Sequence, residues 1–397
     1  MIGAVLFLGA ALAAGAKPSP VPGSLPKFEA AITKLQARYP PGPTNSVALD
    51  LEGLSAELGI DLAPPLPSRR HPSRVTRQRI QRVAAGAFAT CQVESAGETI
   101  DEPPDLLRQF LAANAQTLER IVERLSSGEP PRWELDVRRG GRAPEPNRMG
   151  QLALQRLLAA KALVDAREGR FEEASRVLEA SWSLNQSLMG RPELASYIVA
   201  VGVARLQAGA WRKIVYAPET WLDRLRFEGL RAALIAAFRD ASVFFLVGEK
   251  RSAHRPPEIA AFLNEMKRVG AALERQDPCG FSRQEARRVW KPLRADITAP
   301  NLISTSRRLF RLLIEAELTV KLMEVRNARR DGRWPEKLPD TESHVCPGSA
   351  WSYRVAGDGS MTVSFGGRLA EWPDEPGLKM PLAFTLGIGS LEVGARP

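Results

Sequence analysis

The residues best placed for chemistry are two glutamates, Glu119 and Glu123, which lie one helical turn apart. Carboxylates at that spacing could act as a general acid and base, or as ligands of a metal ion. Each glutamate is followed directly by an arginine, Arg120 or Arg124, and the pair falls on the predicted solvent side of a helix. The pattern therefore favours surface ion pairs over a catalytic pair.

Histidine and cysteine offer few ligands for a transition metal. The three histidines are His71, His254 and His344, and none belongs to a His-Glu-x-x-His arrangement. His344, Cys346 and Cys279 would supply three of the four ligands of a structural zinc site. The sequence holds no fourth ligand at a recognisable spacing, so we predict no metal site.

Motifs of nucleophilic catalysis and phosphate binding do not occur in the chain. The pattern Gly-x-Ser-x-Gly is missing, and the glycine-rich residues 387–390 lack the lysine and following helix of a phosphate loop. We predict no catalytic or cofactor-binding residue and no cofactor. Because catalytic partners need not be neighbours in sequence, a hydrolase with a dispersed active site is the alternative.

An odd number of cysteines leaves at least one thiol unpaired within the chain. The three are Cys91, Cys279 and Cys346. In an exported protein Cys279 and Cys346 could form a bridge across the last helical region, because disulfides persist in oxidising compartments. Three separate thiols agree equally well with the sequence.

Composition indicates a globular, basic protein. The 397 residues are 44% hydrophobic and 25% charged, with a formal net charge of +10, which argues against disorder throughout. Residues 69–82 hold six arginines and no acid. They would contact an anionic surface or form the solvated face of a helix whose inward side includes Val83 and Ala87. No aromatic residue is interleaved for base stacking, so no nucleic-acid partner is expected.

The N-terminal residues resemble a secretory signal. Residues 2–16 are uncharged and apolar, end in Ala14-Gly15-Ala16, and precede a proline-rich tether at residues 17–26. The apolar run is shorter than the roughly 20 residues of a spanning helix. We therefore expect an exported protein, periplasmic or secreted. Anchoring in the inner membrane would follow only if this segment is uncleaved.

Apolar periodicity predicts helices along most of the chain, in three regions. An N-terminal helical region spans residues 27–148 and a central bundle spans residues 149–299, and residues 300–397 form a long helix with a β-hairpin. Proline and glycine at residues 128–148 mark the first boundary. The predicted helices cover residues 28–39, 47–58, 74–92, 105–125, 152–167, 171–188, 192–215, 218–245, 256–273 and 301–329, with a loop at 64–72 and a turn at 277–280.

Two of these helices form an antiparallel hairpin around Gly169, which suits the left-handed residue after a helix end. The spacing of Gly169, Phe171, Ala174 and Leu178 resembles one tetratricopeptide unit. Where that unit holds a small residue late in its second helix, this chain has Ser181. No second copy occurs at the required period, so we expect a hairpin inside a bundle and not a repeat solenoid.

The long helix carries two adjoining apolar stripes, which predicts burial on more than one side. It stops at residues 331–338, read DGRWPEKL, where Pro335 forces the chain out of helical geometry. Residues 351–355 and 361–365 then alternate in the strand period around an Asp-Gly turn, which predicts a β-hairpin. Within the stop, Trp334 is interpreted as a structural cap on the helix end.

This succession of helix, stop and hairpin resembles the C-terminal element of type II secretion pseudopilins. There a helix ends at a Gly-(Arg/Lys)-(Tyr/Trp)-Pro motif and a small sheet packs on it. The resemblance covers about the last quarter of the chain. With the helical hairpin, the chain looks like a group of exported, helix-rich bacterial proteins of uncharacterised activity that end in this element.

The resemblance also implies a calcium loop before the hairpin, as in some pseudopilins. Their Asp-Pro-(Trp/Phe)-Gly turn is replaced here by VCPG at residues 345–348, which lacks the aspartate. Asp340, Glu342 and Asp358 are the oxygen ligands that remain. No calcium site is predicted from them.

The sequence thus predicts a mainly α fold with a small C-terminal β-hairpin element. We expect a non-enzymatic, exported structural or protein-interaction module of the bacterial cell envelope. A further alternative, by analogy with the C-terminal element, is an accessory protein of a secretion or pilus-like apparatus. The expected partner is another envelope protein or an anionic surface.

Overall fold

The computed structural model describes residues 24–63, 75–142, 145–214, 218–226, 230–249, 271, 279, 298–367 and 382–387. The apolar N-terminal segment, His71 and His254 lie outside these residues, as do the loop predicted at 64–72 and residues 388–390. So do the helix predicted at 256–273, except residue 271, and the turn at 277–280, except Cys279. Of the six arginines at residues 69–82, only the backbone from residue 75 onward is described.

Eleven α-helices, one 3-10 helix and a three-stranded sheet make up the described part of the chain. The helices are α1 (Ser24–Arg38), α2 (Ser46–Glu57), α3 (Val75–Glu94), α4 (Asp105–Ala113), α5 (Ala115–Leu125), α6 (Arg148–Arg167), α7 (Phe171–Met189), α8 (Leu194–Lys213), α9 (Glu219–Arg226), α10 (Leu230–Glu249) and α11 (Thr298–Asn327). The 3-10 helix is Val137–Arg142, and the strands are β1 (Trp351–Val355), β2 (Met361–Phe365) and β3 (Ala383–Leu386). The predicted mainly helical fold is confirmed.

The single helix predicted at residues 105–125 is wrong, because the chain forms α4 and α5 with a break at Asn114. Asn114 has φ −120° and ψ 18°, and its side-chain amide donates to the carbonyl oxygen of Phe110 at 2.8 Å. Asparagine disfavours a helix interior in this way, by offering the backbone a side-chain partner. The prediction at residues 218–245 likewise divides into α9 and α10.

The predicted inward side of α3 is wrong at Val83 and Ala87. Val83 is 64% exposed and Ala87 is exposed, while Ala85, Phe88 and Ala89 are buried. The helix packs against both α6 and α8. Because α3 contacts two helices, it buries a different face from the predicted one. The apolar pattern of α3 alone did not reveal this double contact.

One hydrophobic core joins the N-terminal helices to the central bundle. Its buried members include Leu51 from α2, Ile121 from α5, Leu158 from α6 and Leu178 from α7. Burying a leucine or isoleucine side chain contributes about 1.5–3 kcal/mol. This continuous core holds α2 and α5 to α7 together.

The predicted hairpin of α6 and α7 is confirmed, with Gly169 in the left-handed region at φ 79°. The N–H of Gly169 donates to the carbonyl oxygen of Ala166, and that of Arg170 donates to the carbonyl oxygen of Asp165. These two bonds form a Schellman motif, which satisfies carbonyls at the end of α6. The sharp reversal lets the two helices pack along their lengths.

Helix α8 lies at the centre of the bundle and packs against α3, α6, α7 and α11. By length and composition it is the one helix of the described chain apolar enough to cross a membrane, and 67% of its apolar window is buried inside the protein. Gly209 allows the closest approach, because a Cβ added there would lie 2.3 Å from the Cβ of Val93 in α3. The predicted close packing of this helix is confirmed.

Helix α11 is buried on two sides, as predicted. Leu309 and Leu312 pack with residues of α8, while Ile314 and Leu318 pack against the sheet. The helix ends at Asn327, and the chain then turns at Asp331 and Gly332, which adopt left-handed conformations at φ 48° and 73°. This helix therefore lies between the bundle and the C-terminal sheet.

The predicted hairpin of β1 and β2 is confirmed, and β3 extends it to an antiparallel sheet in the order β1-β2-β3. Trp351 pairs with Phe365, and Val355 pairs with Met361. Beyond β3, the N–H of Thr385 donates to the carbonyl oxygen of Ala96 at 2.9 Å. The loop after α3 thus covers the outer edge of β3.

Candidate functional site

The predicted surface ion pairs around Glu119 are confirmed. Glu119 pairs with Arg176 of α7, and Arg120 lies 3.4 Å from the carboxylate of Glu57 in α2. The side chain of Arg124 binds Asp50 of α2 at 2.8 Å. These contacts link exposed faces of neighbouring helices, and such pairs contribute little to stability.

A cleft of about 560 Å³ lies between α2 and α5. It is open to solvent and its lining mixes both charges with apolar groups, namely Leu49, Asp50, Gly53, Leu54, Glu57, Arg120, Glu123, Arg124 and Ser127. Arg120 and Arg124 cross it to reach the carboxylates of α2. The cleft contains no histidine to pair with its carboxylates, and its ion pairs join its two walls.

A close histidine and carboxylate pair occurs elsewhere, in the loop before β1. The Nε2 atom of His344 lies 2.9 Å from Oδ2 of Asp340, and the same oxygen accepts from Nζ of Lys321 at 2.6 Å. The Lys321 ammonium lowers the pKa of Asp340 to about 2, with a bond from the N–H of Glu342 adding to the shift. The His344 side chain is 76% exposed, so this pair lies on the surface.

The neighbouring hydroxyl, Ser343 Oγ, has other partners. It donates to Glu317 Oε2 at 2.7 Å and accepts from the N–H of Cys346 at 3.0 Å. The N–H of His344 donates to the other oxygen of Glu317 at 2.6 Å. A nucleophile must lie within hydrogen-bond reach of its base, whereas here the serine and the carboxylate hold the loop onto α11.

Cys279 and Cys346 form a disulfide with a Cα–Cα distance of 5.4 Å. Both residues are buried, and Cys91 is a free, exposed thiol. The bridge takes away both thiolates that a zinc site with His344 would need. Of the two arrangements open from the sequence, the bridged one is therefore the one that the structure contains.

The three oxygen ligands considered for calcium do not meet. Asp340 is occupied by Lys321 and His344, and Asp358 lies in the β1–β2 turn, where it accepts from the N–H of Ser360 at 2.9 Å. Within the described residues, no three histidine, cysteine or acidic side chains gather as a metal site would require.

A buried ionic cluster, which sequence reasoning missed, joins α3, α8 and α11. Arg205 and Arg311 each bind Glu315 at 2.7 Å, and each also binds Glu94, at 3.1 and 3.3 Å. Arg212 lies 3.4 Å from the second oxygen of Glu315, and both side chains are fully buried. The sequence signal was the i,i+4 spacing of Arg311 and Glu315 on a helix predicted to be buried on two sides.

Arg212 is further held by neutral acceptors. Its guanidinium donates to the carbonyl oxygens of Val93 at 2.7 Å and Glu315 at 3.0 Å, and to the hydroxyl of Thr319 at 3.1 Å. Burial lowers the pKa of Arg212, and the Glu315 carboxylate opposes this shift. Charges removed from water need such compensation, and here the partners come from two helices, α3 and α11.

Two more cations, the buried Lys213 and the partly buried Arg326, lie around the C-terminus of α8. Lys213 Nζ donates to the carbonyl oxygens of Gly97 at 2.9 Å and Thr99 at 2.5 Å, in the loop that covers β3. Arg326 donates to the carbonyl oxygens of Arg212 and Ile214 at 2.7 and 3.0 Å. Burial lowers the pKa of Lys213 to about 8 and that of Arg326 to about 10.

Trp334 lies against the sheet, as its structural interpretation requires. Its indole N–H donates to the carbonyl oxygen of Gly359 in the β1–β2 turn at 2.9 Å. The guanidinium of Arg329 lies 4.4 Å from the ring centroid, in cation–π contact. The side chain thus connects the end of α11 to the tip of the hairpin.

The polar groups in these clusters bind one another and join helices, loop and sheet. Together, these contacts attach α11 to the bundle on one side and to the sheet on the other. Comparisons with protein-family models, curated proteins and solved structures found no match for this chain.

Proposed function

We propose that this chain is an exported, non-enzymatic structural or protein-interaction module of the bacterial cell envelope. The observation that carries the proposal is the buried disulfide between Cys279 and Cys346. Structural disulfides form and persist in oxidising compartments and are rare in the cytosol. The bridge therefore supports folding outside the cytoplasm.

The use of the charged side chains supports a structural role. Glu315 and Glu94 neutralise arginines between three helices, and Glu317 holds the loop before β1. A rigid structural protein that exposes a small sheet would need these ion pairs and hydrogen bonds between its helices and loops. A hydrolase would instead need a nucleophile beside its base in a pocket.

A narrower candidate is an accessory protein of a secretion or pilus-like apparatus. It is favoured by the end of α11, where Asp331 and Gly332 turn the chain and the sheet packs back onto the helix. This candidate rests on the resemblance of the C-terminal element to that of pseudopilins. It predicts that the partner belongs to such an apparatus.

Cross-linking in the native envelope tests the proposal. We expect the full chain, purified after in-cell cross-linking, to carry one reproducible envelope protein. The Trp334→Ala variant, which loosens the C-terminal sheet, should lose that partner or retain less of it. Recovery of the chain without any cross-linked protein, together with hydrolytic activity in the purified chain, would contradict a non-enzymatic interaction module.

A further inference from the structure

The outer edge of β1 carries main-chain groups that have no partner in the described part of the chain. Ala350 accepts from Gly366 at 2.8 Å and Ala356 donates to Ser360 at 2.8 Å. In an antiparallel ladder the bonded positions alternate. Tyr353 and Val355 therefore direct their N–H and C=O groups away from β2.

Pairing on this edge stops at a definite place. The N–H of Trp351 donates to the carbonyl oxygen of Thr341 at 2.7 Å, so the loop before β1 covers the start of the strand. Two residues earlier in that loop, opposite Tyr353, the chain has Pro339. Proline has no N–H to give to the Tyr353 carbonyl, and the edge is left open from Tyr353 to Val355.

The two edges of the sheet differ in how far neighbouring loops cover them. The edge of β3 is covered by the loop after α3, through Thr385 and Ala96. Among the described residues, the edge of β1 is covered only as far as Trp351, and Val355 exposes 44% of its surface. Unpaired edges are the places where an extended peptide adds a strand.

The positive charge of Arg354 on this edge indicates which kind of peptide would pair with it. Arg354 is exposed on the face of β1 opposite Tyr353 and Val355. Tyr353 also donates to the carbonyl oxygen of Pro335 at 2.7 Å, which places the helix stop beside the strand. The exposed charges of that stop are balanced, with Arg333 and Lys337 against Asp331 and Glu336, so Arg354 supplies the charge of the open edge itself.

A second copy of this chain would fit poorly. Antiparallel pairing of two β1 edges, with Tyr353 opposite Val355, places Arg354 directly opposite its own copy. Like charges in that position destabilise a pair of strands. An acidic residue opposite Arg354 would instead be favoured, with apolar neighbours beside Tyr353 and Val355.

We propose that the open edge of β1 binds an extended peptide of a partner protein by strand addition, with a carboxylate side chain opposite Arg354. This inference rests on the proposed interaction function and names the chemistry of its partner. The main chain of residues 353–355 supplies the hydrogen bonds, and Arg354 supplies the preference for an acid.

The test uses the full chain labelled with ¹⁵N-tyrosine, which gives four main-chain amide signals. The probes are the blocked pentapeptide Thr-Val-Glu-Val-Thr and the same peptide with lysine in place of glutamate. We expect the Tyr353 amide to shift with the glutamate peptide and to be protected from hydrogen exchange. The lysine peptide should bind about tenfold or more weakly.

Two variants identify the edge as the site. Val355→Pro removes an outward N–H and leaves the ladder between β1 and β2 intact. It should weaken binding of the glutamate peptide by about tenfold or more. The Val355→Thr variant should bind that peptide like the wild type. Arg354→Glu should reverse the preference between the two peptides, and it keeps the test available if the proline variant does not fold.

Equal binding by wild type and Val355→Pro, or no shift at millimolar peptide, would overturn the strand-addition proposal. So would an unchanged peptide preference in Arg354→Glu. The open edge would then be a short strand edge that charged residues protect from pairing, and not a binding site. Failure here is distinguishable from failure of the proposed function. An envelope partner that cross-links equally to wild type and Val355→Pro would leave the interaction module standing and move its site elsewhere.

Discussion

The guanidinium of Arg326 caps the C-terminus of α8 by donating to the carbonyl oxygen of Arg212 at 2.7 Å. The last carbonyls of a helix have no partner within the helix, and a cation there also interacts favourably with the helix dipole. Arg326 comes from α11 and reaches Ile214 as well. A single side chain therefore both ends α8 and attaches it to α11.

Arg326→Met should destabilise the fold by about 2–4 kcal/mol, because it leaves buried carbonyl oxygens without donors. Urea unfolding followed by circular dichroism measures this. Arg330→Met is the matched control, since Arg330 is exposed, and it should change stability by less than about 0.5 kcal/mol. Equal effects of the two substitutions would contradict the capping role.

Two glycines of α8 should respond in opposite ways to alanine. A Cβ at Gly209 would lie 2.3 Å from the Cβ of Val93, whereas a Cβ at Gly202 would meet nothing within 4 Å. Gly209→Ala should cost about 1–3 kcal/mol by overpacking. Gly202→Ala should stabilise by about 0.4–1 kcal/mol, because it restricts the unfolded chain.

The measurement is again the free energy of unfolding, with Gly209→Ala repeated in a Val93→Ala background. The smaller side chain should recover part of the loss, because it removes the Cγ1 atom at 2.4 Å from the new methyl, although the Cβ at 2.3 Å remains. If Gly209→Ala were as stable as the wild type, α3 and α8 could not approach as closely as the structure has them.

The Lys321–Asp340 pair should make stability depend on pH in the acid range. The pKa of Asp340 is lowered to about 2 in the folded state by the Lys321 ammonium, against about 3.9 in an unfolded chain. Its contribution is therefore present above about pH 4 and is lost as the pH falls towards 2. The stability difference between wild type and Asp340→Asn should shrink over that range.

Urea titrations at several pH values between 5 and 2 measure this difference. Glu336→Gln provides the control, because Glu336 is exposed, and the stability difference from wild type should stay small across the range. A difference between wild type and Asp340→Asn that stays constant down to pH 2 would contradict the assigned pair.

Lys213 should make stability depend on pH in the alkaline range. Burial lowers its pKa to about 8 in the folded state, whereas an exposed lysine has a pKa of about 10.4. The unfolded chain then binds more protons between these values, so the contribution of this group to stability rises as the pH increases from about 8 to 10. Wild type should gain stability relative to Lys213→Met over this interval.

Thermal or urea unfolding of both proteins from pH 7 to 10 measures the gain. Lys337→Met serves as a control, since Lys337 is exposed and its removal should leave the profile unchanged. Parallel profiles for wild type and Lys213→Met would mean that the ammonium of Lys213 is not desolvated in the fold.

Trp334→Ala should lower thermal stability, because it removes the ring beneath Arg329 and the bond to Gly359. For a partly buried tryptophan we expect a loss of about 2 kcal/mol. Trp334→Phe should lose less, since it keeps an aromatic ring beside Arg329 and loses only the pyrrole ring with its N–H. An unchanged melting temperature with lost partner binding would reverse the structural interpretation of Trp334.

Much of the fold followed from local patterns. Gly169 predicted the reversal between α6 and α7, and the Asp358-Gly359 turn predicted the hairpin, because each position requires a backbone geometry that few residues adopt. The break at Asn114 was missed because the apolar stripe continues across it. Strand β3 is only four residues long, too short for its alternation to stand out.

The charged cluster shows why a site is harder to predict than a fold. Arg205, Arg212 and Glu315 are separated by up to 110 residues in sequence, and no local pattern indicates that they meet. Their side chains are mostly or fully buried and join α8 to α11. Only the packing of α8 against α11 brings them together.

The location and thiol state of the native protein test the central claim most directly. After cell fractionation, the protein is alkylated without reduction and analysed by N-terminal sequencing and peptide mass spectrometry. The account predicts an envelope or secreted fraction, a chain that begins after Ala16, alkylation at Cys91 only, and a disulfide-linked peptide holding Cys279 and Cys346. Intact Met1 in the cytosolic fraction, with all three cysteines alkylated, would contradict it.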